Sequence, residues 1–340
     1  MSHFANDPGG GKVLYWYKLC LIATKGELPE MDPVTHAVIG LAVAKATGNT
    51  VSLSDPASLC IVAGSMIPDM DILLQRWGDM TYLKNHRGAT HSIPGFILSS
   101  ALIAGVMSLF FHGSSFTSMF LWALAGCLSH GFFDLFNTYG AKLLWPFKGK
   151  KYSLGMLMSF DPVFIGLLSG YAFVGGNTGN LLLMGFVLYF ASRGAARFLV
   201  MKELHRKFGS RYERISLLPS LKGLLKWQFV LEGSDCSIVG EKNIFRNSIR
   251  IIKKLDKSTD SNNEQVLYSP VGKFFCEFTP HFNIALETTD GIRKRYVFTD
   301  LRYYIRNNFL HHAVLELDEN GKILRQTFNP YSMNRNCIID

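Results

Sequence analysis

The sequence predicts a mostly α fold: a polytopic α-helical membrane bundle of about four spans plus a short helical hairpin, followed by a small C-terminal β-rich domain. Three observations predict it. Only 18% of the 340 residues are charged and 48% are hydrophobic, against roughly 25% charged in an average soluble domain. The deficit is uneven, because nearly all long apolar runs fall within residues 93–200, whereas residues 202–340 hold 22 of the 35 Lys and Arg and 16 of the 26 acids. From Lys226 onward the pattern changes to short β-branched and aromatic runs separated by turn pairs.

Residues 1–30 do not resemble the rest. They carry Gly9, Gly10 and Gly11 and one apolar patch, residues 13–23, shorter than the roughly 20 helical residues a bilayer needs. No small-residue cleavage site follows the patch, so it does not read as a signal peptide. The segment is expected to be a non-native or disordered extension, with Met31 the natural start. Four regions follow: 1–30, a membrane-embedded domain at 31–203, a basic linker at 204–225, and a β-rich domain at 226–340.

Residues 33–47 read as a short apolar helix, with Asp32 placed to cap it and Gly48 and Asn49 to stop it. A second short helix follows Asp55, has Pro56 in its first turn and is expected to end at Pro68. Neither is long enough to cross alone, so the two are expected to form a hairpin against the bundle. Four spans are expected near 93–111, 116–137, 162–174 and 179–200. The loops at 112–115 and 175–178 contain no Lys or Arg, whereas the loop between spans two and three carries Lys142, Lys148, Lys150 and Lys151, and Lys202, Arg206, Lys207 and Arg211 follow span four. Positive segments stay inside. The N-terminal region, the lysine-rich loop and the C-terminal domain are therefore all expected on the cytoplasmic side.

In the last region, strands are expected at 227–231, 273–278, 296–299 and 313–317, with turns at Glu232-Gly233, Asp290-Gly291 and Asn320-Gly321 and a flexible polar stretch at 257–265. The His311-His312 pair is expected at the surface. The net charge of +9 is accounted for by basic residues flanking membrane helices. Nucleic acid is not an expected partner, and membrane lipids are. The six cysteines form no C-x-x-C pair, which excludes a zinc ribbon or thioredoxin motif.

Five polar segments interrupt the apolar region: 32–36, 68–71, 86–92, 129–134 and 161–162. His130 and Asp134 are four apart, on one helical face and within reach of one ion. Ionisable groups inside a span are costly and mark functional sites by default, although this pair also fits a plain hydrogen bond across one turn. His86 and His91 bracket Arg87 just before the first span. Asp69 and Asp71 follow Pro68 and suit either one cavity or a helix cap. His36, in the first turn of an apolar helix, draws its case from this company. By topology His86, His91, His130, Asp134 and Asp161 all fall at one membrane face. Imidazole plus carboxylate is the ligand set of catalytic zinc, with manganese or iron as alternatives, and Arg87 is suited to grip a phosphate or carboxylate.

The strings Met31-Asp-Pro-Val-Thr-His36, Pro68-Asp-Met-Asp71, His86-Arg-Gly-Ala-Thr-His-Ser92 and His130 to Asp134 resemble a family of bacterial inner-membrane, metal-dependent hydrolases also described as LexA-binding. The resemblance covers about residues 31–200 and implies a membrane-bound hydrolase. More distantly, the set is similar to the zinc site of bacterial phospholipase C. That likeness implies His36, Asp69, His91, His130 and Asp134 as metal ligands, with Asp71, His86 and Arg87 in catalytic or substrate-binding roles. A counterpart of that family's remaining ligands is missing.

The expected function is hydrolysis of a phosphoester or ester in a lipid or membrane-proximal substrate, with a divalent metal, zinc first. The alternative is a non-enzymatic membrane adaptor that recruits a cytoplasmic protein through the β domain. A transporter ranks third, because the polar groups sit at one end of the spans.

Overall fold

The computed structural model describes residues 33–340 apart from 159, 247, 259–262, 290–292, 306, 331–336 and 339–340. Residues 1–30, the expected cap Asp32 and the expected turn Asp290-Gly291 lie outside the described residues.

The helical part begins with α1 (Pro33–Ala46) and α2 (Pro56–Met66), which runs directly into a 3-10 segment, Ile67–Trp77. Asp55 caps α2 through the amides of Ala57 and Ser58, with Pro56 in the first turn, as expected. The expected stop at Pro68 does not occur. Pro68 lies in the first turn of the 3-10 segment, where its missing N–H costs nothing, and the helix tightens rather than ending. Next come α3 (Asp79–Asn85), a 3-10 turn at Ala89–His91, α4 (Ile93–Ser108), α5 (Phe116–Asp134), α6 (Pro162–Phe173) and α7 (Gly176–Phe208).

Among the described residues, three helices are long and apolar enough to cross a membrane: Pro56–Trp77, α5 and α7. A fourth crossing exists if the segment Thr81–His91 and α4, bent by 76°, count as one. The expected set of spans therefore changes. The second helix, expected to be half of a hairpin, is long enough to span, whereas α6, expected as span three, has 12 residues, about 18 Å at 1.5 Å per residue against a core of about 30 Å. Leu98 and Leu102 of α4, Leu121 and Leu128 of α5 and Leu181 and Leu188 of α7 are exposed, the apolar face that lipid would cover.

The C-terminal part holds two antiparallel sheets. The first is a meander in the order β1-β2-β3-β4: β1 (Arg214–Pro219), β2 (Lys226–Glu232), β3 (Cys236–Asn243) and β4 (Ile249–Asp256). The segment 204–225 is thus not a linker throughout, since it contains the end of α7 and strand β1. Helices α8 (Asn263–Tyr268) and α9 (Pro270–Phe278) follow. Residues 273–278, expected as a strand, are helical. Ser269 caps the Gly272 amide, Pro270 sits at the first position, and Phe274, Phe275 and Phe278 fall on one helical face.

The second sheet comprises β5 (Phe282–Thr289), β6 (Arg293–Asp300), β9 (His312–Leu317), β10 (Ile323–Asn329) and β11 (Cys337–Ile338) in the order β11-β10-β9-β6-β5, with a small ribbon of β7 (Tyr304–Ile305) and β8 (Asn308–Phe309). Its core is formed by Phe275, Phe278, Tyr296, Phe298 and Phe328. His311 and His312 are buried, not at the surface as expected, because they enter the central strand β9. The His312 ring contacts the Phe309 carbonyl at 2.9 Å and Thr299 Oγ1 at 3.3 Å.

The two parts are packed together. Val200 and Leu204 of α7 join the core of the first sheet with Trp227 and Phe229, and Tyr82 and Leu83 of α3 insert into the core beneath α9. Arg193 lies over the Trp227 ring at 4.5 Å and donates to the Met156 carbonyl at 3.0 Å.

Candidate metal centre

Each ligand-type side chain comes from a separate turn of the fold. His36 lies in the first turn of α1, and Asp69 and Asp71 lie on the 3-10 segment after α2. His91 closes the turn before α4, while His130 and Asp134 are one turn apart at the end of α5. Glycines set how closely these turns approach. Gly40 follows His36 by one turn, Gly126 precedes His130 by one turn, and Gly64 is five residues before Asp69. A Cβ at these positions would strike the Ser65 side chain, the Ile61 carbonyl and the Ala123 carbonyl respectively. Such small residues let helix backbones touch.

At the centre, Asp69 Oδ1 lies 3.3 Å from His91 Nε2 and 3.6 Å from His130 Nε2. Asp134 Oδ2 lies 3.4 Å from each of the same two nitrogens. These separations exceed the roughly 2.7–3.2 Å of a hydrogen bond. They match the roughly 3.4 Å between two ligand atoms that each sit about 2.1 Å from one tetrahedral ion. The other carboxylate oxygens turn toward His36, whose Nε2 is 3.5 Å from Asp134 Oδ1 and 3.9 Å from Asp69 Oδ2. The His36 and His130 rings stack at 3.7 Å.

All five side chains are buried. The Nε2 atoms of His36, His91 and His130, together with Asp69 Oδ2 and Asp134 Oδ2, have no hydrogen-bond partner among the described residues. Leaving so many buried polar atoms unsatisfied is costly, and one cation among them satisfies several at once. By charge, donor type and spacing the residues fit a divalent ion. His36, His130 and Asp134 form one group of convergent ligand atoms and Asp69, His91 and His130 another, so His130 belongs to both.

A second layer orients these ligands. His130 Nδ1–H donates to the Ser65 carbonyl at 2.8 Å, which leaves its Nε2 lone pair facing the centre. His91 Nδ1 contacts Thr90 Oγ1 at 3.0 Å, and Thr90 donates to Asp71 Oδ2 at 3.3 Å. Asp71 also accepts from His86 Nδ1 at 3.0 Å and from the Arg87 amide at 2.9 Å. Asp71 and His86 therefore hold the loop that presents His91 rather than lining the centre themselves. Arg87 is fully buried, adopts φ +58° and places its guanidinium 3.3 Å from Asp134 Oδ1 and over the Tyr139 ring.

Asp161 takes no part in the cluster. It caps α6 through the Val163 and Phe164 amides and accepts from the Tyr189 hydroxyl. Sequence reasoning missed Asn137, which donates to Asp134 Oδ1 at 3.0 Å and accepts from the Tyr139 and Gly140 amides. Its signal was available in the turn-forming Asn-Thr-Tyr-Gly run just beyond Asp134. Thr90, inside the His86–His91 string, was likewise passed over.

Comparison with known proteins gives two family matches. The family described as YdjM inner membrane protein matches residues 31–202, and the YfhP C-terminal alpha/beta plait domain matches residues 263–335. The uncharacterized protein YfhP of Bacillus subtilis (strain 168) is 29% identical over 304 residues, covering 84% of this chain and 91% of that protein. No solved structure matches. The first match takes in all of the residues converging at the centre.

Proposed function

The chain belongs to the YdjM inner membrane protein family, and on that premise we propose that it is a membrane-bound metal-dependent hydrolase acting on a phosphoester or ester of a lipid or another membrane-proximal substrate. The observation that carries this reading is the set of buried nitrogen and oxygen atoms from five side chains that face one another without hydrogen bonds. His36, Asp69, His91, His130 and Asp134 would hold the cation, zinc before manganese or iron. A divalent ion so held supplies a water of lowered pKa and a Lewis acid for a phosphoryl or acyl oxygen. Asp71, His86 and Thr90 position His91, and Asn137 and Arg87 fix Asp134. The lysine-rich loop and the basic exit of α7 support placing the centre and the C-terminal domain on the cytoplasmic side.

A second reading is supported by the burial itself. With every ligand-type side chain enclosed and α3 packed beneath the β domain, the cluster also suits a structural metal lock in an adaptor that recruits a cytoplasmic protein. Zinc-loaded, detergent-purified protein assayed on phosphodiester, phosphomonoester and carboxylic ester lipids separates the two. Turnover that disappears in Asp134→Asn supports the hydrolase, whereas metal retention without turnover of any of the three supports the adaptor.

A further inference from the structure

Outside the metal cluster, a group of basic side chains gathers at the junction of the helical and β parts. A cavity of about 310 Å³ there is lined by Lys150, Lys151, Arg197, Arg214, His281 and Arg302, and no Asp or Glu lines it. Two of these side chains have acidic neighbours, Arg302 with Asp300 at 2.8 Å and His281 with Glu232 at 3.1 Å. Arg197 and Arg214 instead donate to backbone carbonyls, of Gly155 at 3.3 Å and Pro280 at 3.0 Å. Those bonds orient the guanidiniums without cancelling their charge. Lys150 is exposed and makes no ion pair among the described residues. Planar guanidiniums held in this way are preorganised for phosphate oxygens.

The surroundings of the cavity indicate where its ligand comes from. On α7, Phe198 and Leu199 are exposed immediately after Arg197, and on the approach to Lys150 the chain presents Trp145 and Phe147, the latter 86% exposed. Exposed aromatic residues beside lysines are what a chain places at the level of lipid headgroups.

We propose that this cavity is a binding site for the phosphate-bearing headgroup of an anionic phospholipid, held by Arg197, Arg214 and Lys150. The site is separate from the metal cluster and stands whether or not the chain is a hydrolase. Tyr139, which lines the cavity, touches both. Its ring lies beneath Arg302 at 5.0 Å and beneath Arg87 at 5.7 Å.

The test uses the full chain in detergent, titrated with fluorescent phosphatidylglycerol and, separately, phosphatidylcholine. Wild type is expected to prefer phosphatidylglycerol, and the Arg197→Gln/Arg214→Gln pair to lower that affinity about thirtyfold while leaving phosphatidylcholine binding unchanged. The single variant Lys150→Gln, at an exposed position, gives a smaller loss and stands in if the pair does not fold. Equal affinity for the two lipids, or an unchanged preference in these variants, overturns the proposal. A competition arm with inorganic phosphate and glycerol phosphate separates the sources: displacement only at concentrations far above that of the lipid supports the headgroup assignment. Displacement at matching concentrations overturns it in favour of a soluble phosphate compound.

Discussion

Replacing Asp71 with Ala tests whether the His86–His91 loop is held for the sake of the centre. The buried carboxylate accepts from His86 Nδ1 at 3.0 Å, the Arg87 amide at 2.9 Å and Thr90 at 3.3 Å. Thr90 retains His91 as a neighbour, so the substitution strands two buried donors at about 1–3 kcal/mol each, for a loss of about 2–6 kcal/mol in stability. It also releases the Thr90 hydroxyl that orients the His91 ring, and loosening such an outer contact costs about 10–100-fold in metal affinity. Asp71→Asn keeps one acceptor oxygen for the Arg87 amide but sets an amide nitrogen or a single oxygen against His86, and should fall between the two. Zinc affinity is read by competition with a chromophoric chelator on detergent-purified protein, and stability by thermal unfolding with and without zinc. Asp71→Ala binding zinc as tightly as wild type would refute the reasoning that this carboxylate organises the site.

Gly126→Val should abolish the folded protein, since its side chain would enter the Ile61 carbonyl, while Gly105→Ala, which meets nothing within 4 Å, should leave yield and melting temperature within the scatter of wild type; size-exclusion profiles report both. Chelator treatment should lower the unfolding temperature of wild type and added zinc should restore it, whereas His36→Ala should show little response to either. In the C-terminal domain, burial raises the Asp300 carboxyl, but Arg302, at 3.0 Å from Oδ1 and 2.8 Å from Oδ2, outweighs burial and holds it below the usual carboxylate range. A depressed folded-state pKa gives stability that is present above the unfolded value of about 3.9 and lost as pH falls through the folded value. Acid unfolding below about pH 4 should therefore be steeper in wild type than in Asp300→Asn, and identical acid profiles would remove the role assigned to this pair. At neutral pH, Asp300→Ala should cost about 3–5 kcal/mol, because it leaves the buried Arg302 charge without its partner; denaturant titration measures the loss.

The site was more legible in the sequence than the fold around it. The spacing of His130 and Asp134 states which helical face they share, and the density of His and Asp in an apolar region marks what must be compensated, so the cluster could be assembled without coordinates. The roles of Asp71 and His86 were less legible, because residues that hold a ligand and residues that act as one have the same composition. Element boundaries failed at prolines, whereas the stop at Gly48-Asn49 and the turns at Glu232-Gly233 and Asn320-Gly321 hold. Pro68 reads as a stop, yet as an early residue of a 3-10 segment it continues the helix. Residues 273–278 read as a strand because Phe274, Phe275 and Phe278 are compatible with either period, and the Ser269-Pro270 cap decided for a helix. His311 and His312 looked like surface residues because nothing local announces that the strand expected at 313–317 is the central one of its sheet.

Elemental analysis of the detergent-purified full chain, beside His130→Ala and Asp134→Asn, tests the central claim most directly. Bound zinc, manganese or iron at a fixed ratio to wild-type chain, lost from both variants while they remain folded, is the expected result. Wild type that takes up none of these ions from a metal-replete medium, or variants with undiminished content, would contradict it.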